Sequence, residues 1–173
     1  MKREVNVWDY AGQIMEKIGK GILLTTCAEG EVNTMTIGWG HIGVIWSKPV
    51  FVTYVRESRH TKSLLDKNGE FTVNIPLSAA DKDVIALCGT KSGRDMDKLK
   101  ELGLTTEEGL TVSVPAIRQL PLTLECKVIY KQEQAPDAID PDCYQRFYAK
   151  GTHNEGDHHT AYYGEITAAY IVE

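Results

Sequence analysis

Residues 33–61 read N-T-M-T-I-G-W-G-H-I-G-V-I-W-S-K-P-V-F-V-T-Y-V-R-E-S-R-H-T, a polar, glycine-rich start that runs into apolar strand material. Val50 to Arg56 is a compact strand pattern. It is followed at once by a cationic and hydroxyl cluster, Arg56, Ser58, Arg59, His60, Thr61 and Lys62. The next segment turns helical: Ser58 is placed to cap it, Leu64 and Leu65 give an apolar face, and Asn68-Gly69 is a stop signal. A helix N-terminus is the positive end of the macrodipole and ordinarily draws Asp or Glu. Here only Glu57 is acidic, against two arginines, a lysine and a histidine. Free N–H groups, hydroxyls and a bidentate donor make an anion site, and phosphate is the natural guest. A capped surface helix with solvated bases is the other reading of the same residues. Gly38-Trp39-Gly40-His41-Ile42-Gly43 satisfies G-x-G-x-x-G formally, but a dinucleotide fingerprint needs a helix starting at its last glycine. Val44-Ile45-Trp46-Ser47-Lys48-Pro49 cannot supply one, so these glycines are read as bends or as points of close backbone approach by a ligand.

Working outward, Ile22 to Cys27 reads as a strand, Ala28 to Glu31 as its turn, and Val32 starts the partner strand. Upstream, Asp9 is placed to cap a short helix through Ile14 and Ile18 that ends at Gly19. Downstream, Phe71 to Ile75 is a strand stopped by Pro76. Ser78 with Asp81 forms a capping-box pattern ahead of Val84, Ile85, Leu87 and Cys88. Cys88 to Asp95 is a polar loop, a short helix runs from Asp95 to Gly103, and Leu110 to Val114 reads as a strand. From Leu120 to Tyr130 apolar and polar residues alternate, the period of a half-buried antiparallel strand. Gln132 to Pro141 is irregular, Cys143 to Tyr148 a helical turn, and Ala161 to Val172 a closing strand. Six to eight strands with helices that do not alternate with them exclude a doubly wound parallel sheet. They predict a mainly β, antiparallel barrel with inserted short helices.

The chain has 173 residues, 42% hydrophobic and 25% charged, enough for one domain, 1–173, with a sizeable core. A net charge of −5 argues against nucleic acid as a partner. No apolar run approaches the ~18 residues of a membrane span, and the first ten residues lack the apolar core of a signal peptide. The reading is a cytoplasmic protein. The four cysteines, Cys27, Cys88, Cys126 and Cys143, are scattered without a C-x-x-C pair and are read as free thiols. His153, Asp157, His158 and His159 have ligand chemistry, but their spacing forces no convergence, and no metal site is assigned.

Six motifs in order, N-T-M-T-I-G-W-G, W-S-K-P, Y-V-R-E-S-R-H-T, F-T-V-N-I-P, C-G-T-K-S-G-R-D-M-D-K and H-H-T-A-Y-Y-G-E-I, resemble the flavin reductase-like (flavoredoxin-like) FMN-binding split-barrel family. The match runs from about Gly12 to Ile171. The resemblance implies a Greek-key split β-barrel, a homodimer, and FMN at or near the dimer interface. It places Thr34, Met35 and Thr36 along the isoalloxazine with Trp39 close by. Arg56, Ser58, Arg59 and Thr61 match the phosphate segment, in agreement with the dipole argument. Cys88, Gly89, Ser92 and Lys98 match the loop that closes over the cofactor, although a buried thiol and a solvated helix charge are the plain readings of Cys88 and Lys98.

Relatives of this fold often carry G-D-H followed by four residues and a glycine, a motif associated with the nicotinamide. Gly156-Asp157-His158-His159 departs from that pattern: His158 follows G-D but has five residues before Gly164, and only His159 has four, so the motif leaves open which histidine matches, and the spacing makes His159 the candidate catalytic residue. The resemblance implies an FMN oxidoreductase passing electrons from NAD(P)H to flavin or another acceptor. A flavoredoxin-type electron carrier reacting with a redox partner protein is the alternative, and an anion-binding module without redox chemistry a third. Nothing in the chain chooses between NADH and NADPH.

Overall fold

The computed structural model describes residues 1–78 and 82–173. Eight strands form one sheet in which every pairing is antiparallel: β1 (Lys2–Glu4), β2 (Ile22–Ala28), β3 (Glu31–Ile37), β4 (Gly40–Ile45), β5 (Lys48–Arg56), β6 (Glu70–Ile75), β9 (Leu122–Glu133) and β10 (His159–Val172). Their order is β3-β2-β6-β9-β10-β5-β4, with β1 added on β10. A two-stranded ribbon, β7 (Thr106–Glu107) with β8 (Ala116–Ile117), lies apart. Five short helices are inserted: α1 (Ala11–Ile18), α2 (His60–Asn68), α3 (Lys82–Thr90), α4 (Lys98–Glu101) and α5 (Pro141–Phe147).

β3 and β4 are the two outer strands of the path, yet only Gly38 and Trp39 connect them. Two residues reach less than about 11 Å even when extended. The edges must therefore meet at that corner, and the sheet curls into a barrel that is not hydrogen-bonded shut. Met35 and Ile37 of β3 share one buried core with Phe51 and Val55 of β5, Phe71 and Val73 of β6 and Leu124 of β9, plugged by Ile14 and Ile18 of α1. The mainly β, antiparallel split barrel expected from the sequence is the fold observed.

Several local expectations change. Gly40 is a strand residue whose added Cβ would lie 2.8 Å from the Val52 carbonyl oxygen, so the close approach is by a neighbouring strand. The β2–β3 turn does form at Glu29-Gly30, both at positive φ as a two-residue type I′ loop requires. Asp9 does not cap α1. It lies inside a 3-10 turn, Val7–Tyr10, capped by Asn6. The helix expected from Asp95 is shorter, starting at Lys98 behind an Asp97 cap. Leu110 to Val114 forms no strand: the N–H groups of Leu110 and Thr111 donate to the Glu125 carboxylate and that of Ser113 to Glu70, so no ladder can use them. Of the capping-box pattern, Asp81 lies outside the described residues. Among the described residues no helix is long and apolar enough to cross a membrane.

Candidate functional site

The open edge of β3, the start of α2, the end of α3 and the loop before α4 surround a cavity of about 320 Å³. A second cavity of about 190 Å³ lies alongside, under the Gly38-Trp39 corner, against the last residues of β5 and the first of β10. Met35, Thr36 and Arg59 line both, so the two are one bent cleft.

The sequence elements converge here. Met35, Thr36, Ser58, Arg59, Thr61, Cys88, Gly89, Ser92 and Lys98 line the larger cavity. Trp39, Arg56 and His159 line the smaller one. Thr34 is the exception: its hydroxyl is buried in the sheet, bonded to Thr25 Oγ1 and the Leu24 carbonyl. Cys88 and Gly89 sit at the end of α3, where a Cβ on Gly89 would touch Thr36.

The cationic cluster is divided by its partners. Arg56 donates to Asn154 Oδ1 at 2.6 Å and lies 3.5 Å from the Asp157 carboxylate. His60 pairs with Glu31, and Lys62 lies between Glu57 and Asp66. Arg94 donates to the Ser58 carbonyl. The Arg59 side chain has no hydrogen-bond or ion-pair partner among the described residues, and Arg59 borders both cavities. It is also the residue preceding α2, and neither a side-chain cap nor a first-turn carboxylate satisfies that helix end. Ser58, expected as the cap, is drawn off by Asp157, to which it donates from both N and Oγ (3.0 and 2.6 Å). The residue that diverts it lies 99 positions along the chain.

Lys98 is 3% exposed, and among the described residues its ammonium meets only the Cys88 carbonyl, at 3.4 Å. Burial pushes its pKa down, partly opposed by Cys88, while burial pushes the Cys88 thiol up. A buried base with no carboxylate at hand is a second vacancy for an anion. Gly93 closes this end: a Cβ there would lie 2.2 Å from Asn33 Oδ1, so only glycine lets the loop approach β3.

Strand alternation separates the two histidines. His159 is opposite Arg56 in the β10–β5 register, and facing residues share a face, so both line the smaller cavity. His158, one residue earlier, stacks on Tyr148 at 5.0 Å instead. The Trp39 ring lies 4.7 Å from that of His159 and is braced by the edge of Phe147. Burial, then the Arg56 charge, lowers the His159 pKa to about 4, with Asp157 opposing and His158 adding to the fall. Gly164, which closes the motif, lines neither of the two cavities. A Cβ on it would enter the Phe71 ring at 2.4 Å.

Sequence reading alone missed Asn33, whose amide donates to Thr61 Oγ1, and Lys91, Gly93 and Arg94 on the closing loop. The loop residues fall inside the quoted C-G-T-K-S-G-R-D-M-D-K motif, which was the available signal. Tyr54, on the smaller cavity, heads the quoted Y-V-R-E-S-R-H-T motif, whereas nothing in the spacing pointed to Asn154 on the same cavity.

The family model of the flavin reductase like domain matches residues 15–173. An uncharacterised protein of Archaeoglobus fulgidus is 36% identical over 101 residues, 58% of this chain and 56% of that protein. The chain spans about half the length of the curated relatives it matches. Among solved structures, the flavoredoxin of Desulfovibrio vulgaris (Miyazaki F) superposes with a TM-score of 0.67 at 25% identity, over 88% of this chain and 69% of that one. The flavoredoxin of Methanosarcina acetivorans gives 0.65 at 27% identity, over 88% and 68%.

Proposed function

The chain belongs to the flavin reductase-like family, and from that premise we propose that it is an FMN-binding oxidoreductase taking electrons from NAD(P)H. The observation that carries the reading is the bent cleft. One arm has a partner-free arginine, an uncapped helix end and a buried lysine; the other has a histidine under a tryptophan.

The residues present fit the cofactor. Arg59, the N–H groups at the start of α2, Ser92 and Lys98 would hold a terminal phosphate. Met35 and Thr36, at the junction of the arms, and Trp39 would border the flat ring system. Bound there, FMN would supply the reversible two-electron chemistry that amino-acid side chains lack. The protein's part is to bind, to orient and to leave one face of the cleft open for a nicotinamide. His159 is placed on that arm as the residue that meets it.

A second reading is an electron carrier that receives electrons from a redox partner protein. Its support is the likeness to two flavoredoxins at 25% and 27% identity. Stopped-flow mixing of the FMN-loaded protein with NADH and NADPH separates the readings. Bleaching of the flavin band within seconds, slowed at least tenfold by His159→Ala with the bound-FMN spectrum unchanged, is the expected result. No bleaching by either nucleotide within minutes, with full reduction by dithionite, would overturn the reductase.

We also propose a homodimer. The outer face of β5 supports it: Val50 and Val52 underlie a satellite cluster with Ile45, Tyr54 and Tyr163, beside exposed Val44, Trp46 and Tyr130.

A further inference from the structure

His159 stands at the head of a short hydrogen-bond chain whose polarity can be followed atom by atom. Its backbone N–H donates to Gln134 Oε1 at 3.0 Å. A backbone N–H can only donate, so this contact fixes the Gln134 amide with its oxygen toward the site. The Tyr148 hydroxyl lies 2.9 Å from the same oxygen and must give its single proton there, since two bare oxygens would otherwise face each other. The Tyr148 oxygen, 2.7 Å from His159 Nδ1, is then left only as an acceptor. Nδ1 therefore carries the ring proton. Nε2 has no partner among the described residues, and it is not one of the sealed, unpartnered atoms, which are Thr26 Oγ1, Thr53 Oγ1 and His158 Nε2. The His159 residue that carries it lines the smaller cavity.

We propose that Tyr148 and Gln134 are positioning residues that hold His159 as the Nδ1–H tautomer, so that Nε2 accepts a hydrogen bond from an amide or imide N–H of the ligand in the smaller cavity. The ring stays neutral because burial and Arg56, aided by His158, outweigh Asp157. Tyr148 keeps its own proton, its pKa raised by burial. A bare ring nitrogen repels phosphate and carboxylate oxygens, so this arm selects an N–H donor while the anion is left to the Arg59 arm. Trp39 along the ring prevents a turn that would exchange the two nitrogens. The identity of the ligand rests on the FMN and NAD(P)H reading, under which two groups qualify: the flavin imide and the nicotinamide carboxamide.

Long-range ¹H–¹⁵N spectra of the histidine-labelled full chain test this without activity. A protonated Nδ1 and a bare Nε2, unchanged from pH 8 to pH 5, are expected. A bare Nδ1, or a doubly protonated ring at pH 7, would overturn the proposal. Tyr148→Phe should move the proton to Nε2 and weaken the ligand three- to tenfold, the loss of roughly one hydrogen bond; an unchanged pattern refutes the lock. Should that variant not fold, Gln134→Glu keeps both acceptors and should retain Nδ1–H while raising the ring's pKa, and loss of the Nδ1 proton there refutes it equally. Adding FMN alone, then nicotinamide, then nicotinate, identifies the donor. A shift of Nε2 with FMN assigns the imide, and a shift with nicotinamide but not nicotinate assigns the carboxamide. No shift with FMN or nicotinamide refutes the acceptor role. FMN uptake is read independently from its absorption band, and its failure would overturn the flavin reading while the tautomer is still decided by the spectra.

Discussion

Replacing Arg59 by alanine separates ligand binding from stability, because its side chain has no partner among the described residues to lose. Arg56, His60, Lys62 and Arg94 each answer to a carboxylate, an amide or a carbonyl, whereas Arg59 faces only the cleft. Its removal should change the unfolding free energy by no more than about 0.5 kcal/mol, as for a partly exposed side chain outside the core. A charge-assisted contact to phosphate is worth about 1.5–3 kcal/mol, which converts to a ten- to hundredfold loss of FMN affinity. Riboflavin has the same ring and no phosphate, so its weaker affinity should change less than about twofold. Fluorescence titration of wild type and variant with both ligands measures this. Lys62→Ala is the control: it is an equal loss of charge three residues away, but Lys62 faces Glu57 and Asp66, and FMN affinity should stay within about twofold. If Arg59→Ala binds FMN as wild type does, or loses FMN and riboflavin equally, the arginine does not hold the phosphate.

Glu125 is fully buried and accepts from Leu110 N–H, Thr111 N–H and hydroxyl, and Tyr170. Glu125→Gln should cost about 3 kcal/mol, seen as a lower denaturation midpoint. Burial alone would raise the Glu125 pKa, but these donors outweigh it and hold the value below the usual 4.5; its stabilisation is therefore complete above pH 4.5 and is lost as pH falls further, so the gap between wild type and Glu125→Gln should narrow in melts taken from pH 5 down to pH 3. Gly164→Ala should destabilise by about 1–3 kcal/mol through overpacking against Phe71, while leaving FMN affinity per folded molecule unchanged in the same titrations. Sedimentation at micromolar concentration should show a dimer, and Trp46→Glu in the exposed β4–β5 turn should shift it toward monomer.

Much of the barrel was legible because strand signals are local. Alternation from Leu120 to Tyr130, the stop at Pro76 and the Glu29-Gly30 turn each declare themselves within a few residues. The failures were of another kind. Ser58 has the chemistry and the position of an N-cap, and Leu110 to Val114 has the composition of a strand. Both were overridden by a carboxylate that arrives only with the tertiary fold, Asp157 in one case and Glu125 in the other. The cleft was legible for the same reason that the barrel was: its motifs lie at strand ends and helix starts that the fold gathers on one side. Thr34 shares its strand parity with Thr36, which lines the cleft, but its hydroxyl is taken up inside the sheet by Thr25 and the Leu24 carbonyl. Tyr148 and Gln134 gave no signal, because their importance lies in reaching one atom of His159 from two different segments.

The division of labour within the basic cluster follows from one acidic residue. Asp157 accepts two hydrogen bonds from Ser58 and lies beside Arg56, while Glu57 N–H donates to the His158 carbonyl in the same seam. These contacts fasten residues 56–58 to residues 154–158 and bring Arg56 to the edge of the histidine arm as a compensated charge. Asp157 opposes the Arg56 charge where it bears on His159. Arg59, one residue beyond the seam, escapes this compensation and faces the other arm. A cluster that reads in sequence as one anion site is thus split by the fold into bases held by internal partners and one, Arg59, whose side chain has none among the described residues. The aspartate of the G-D-H-H motif acts by deciding which arginine is which.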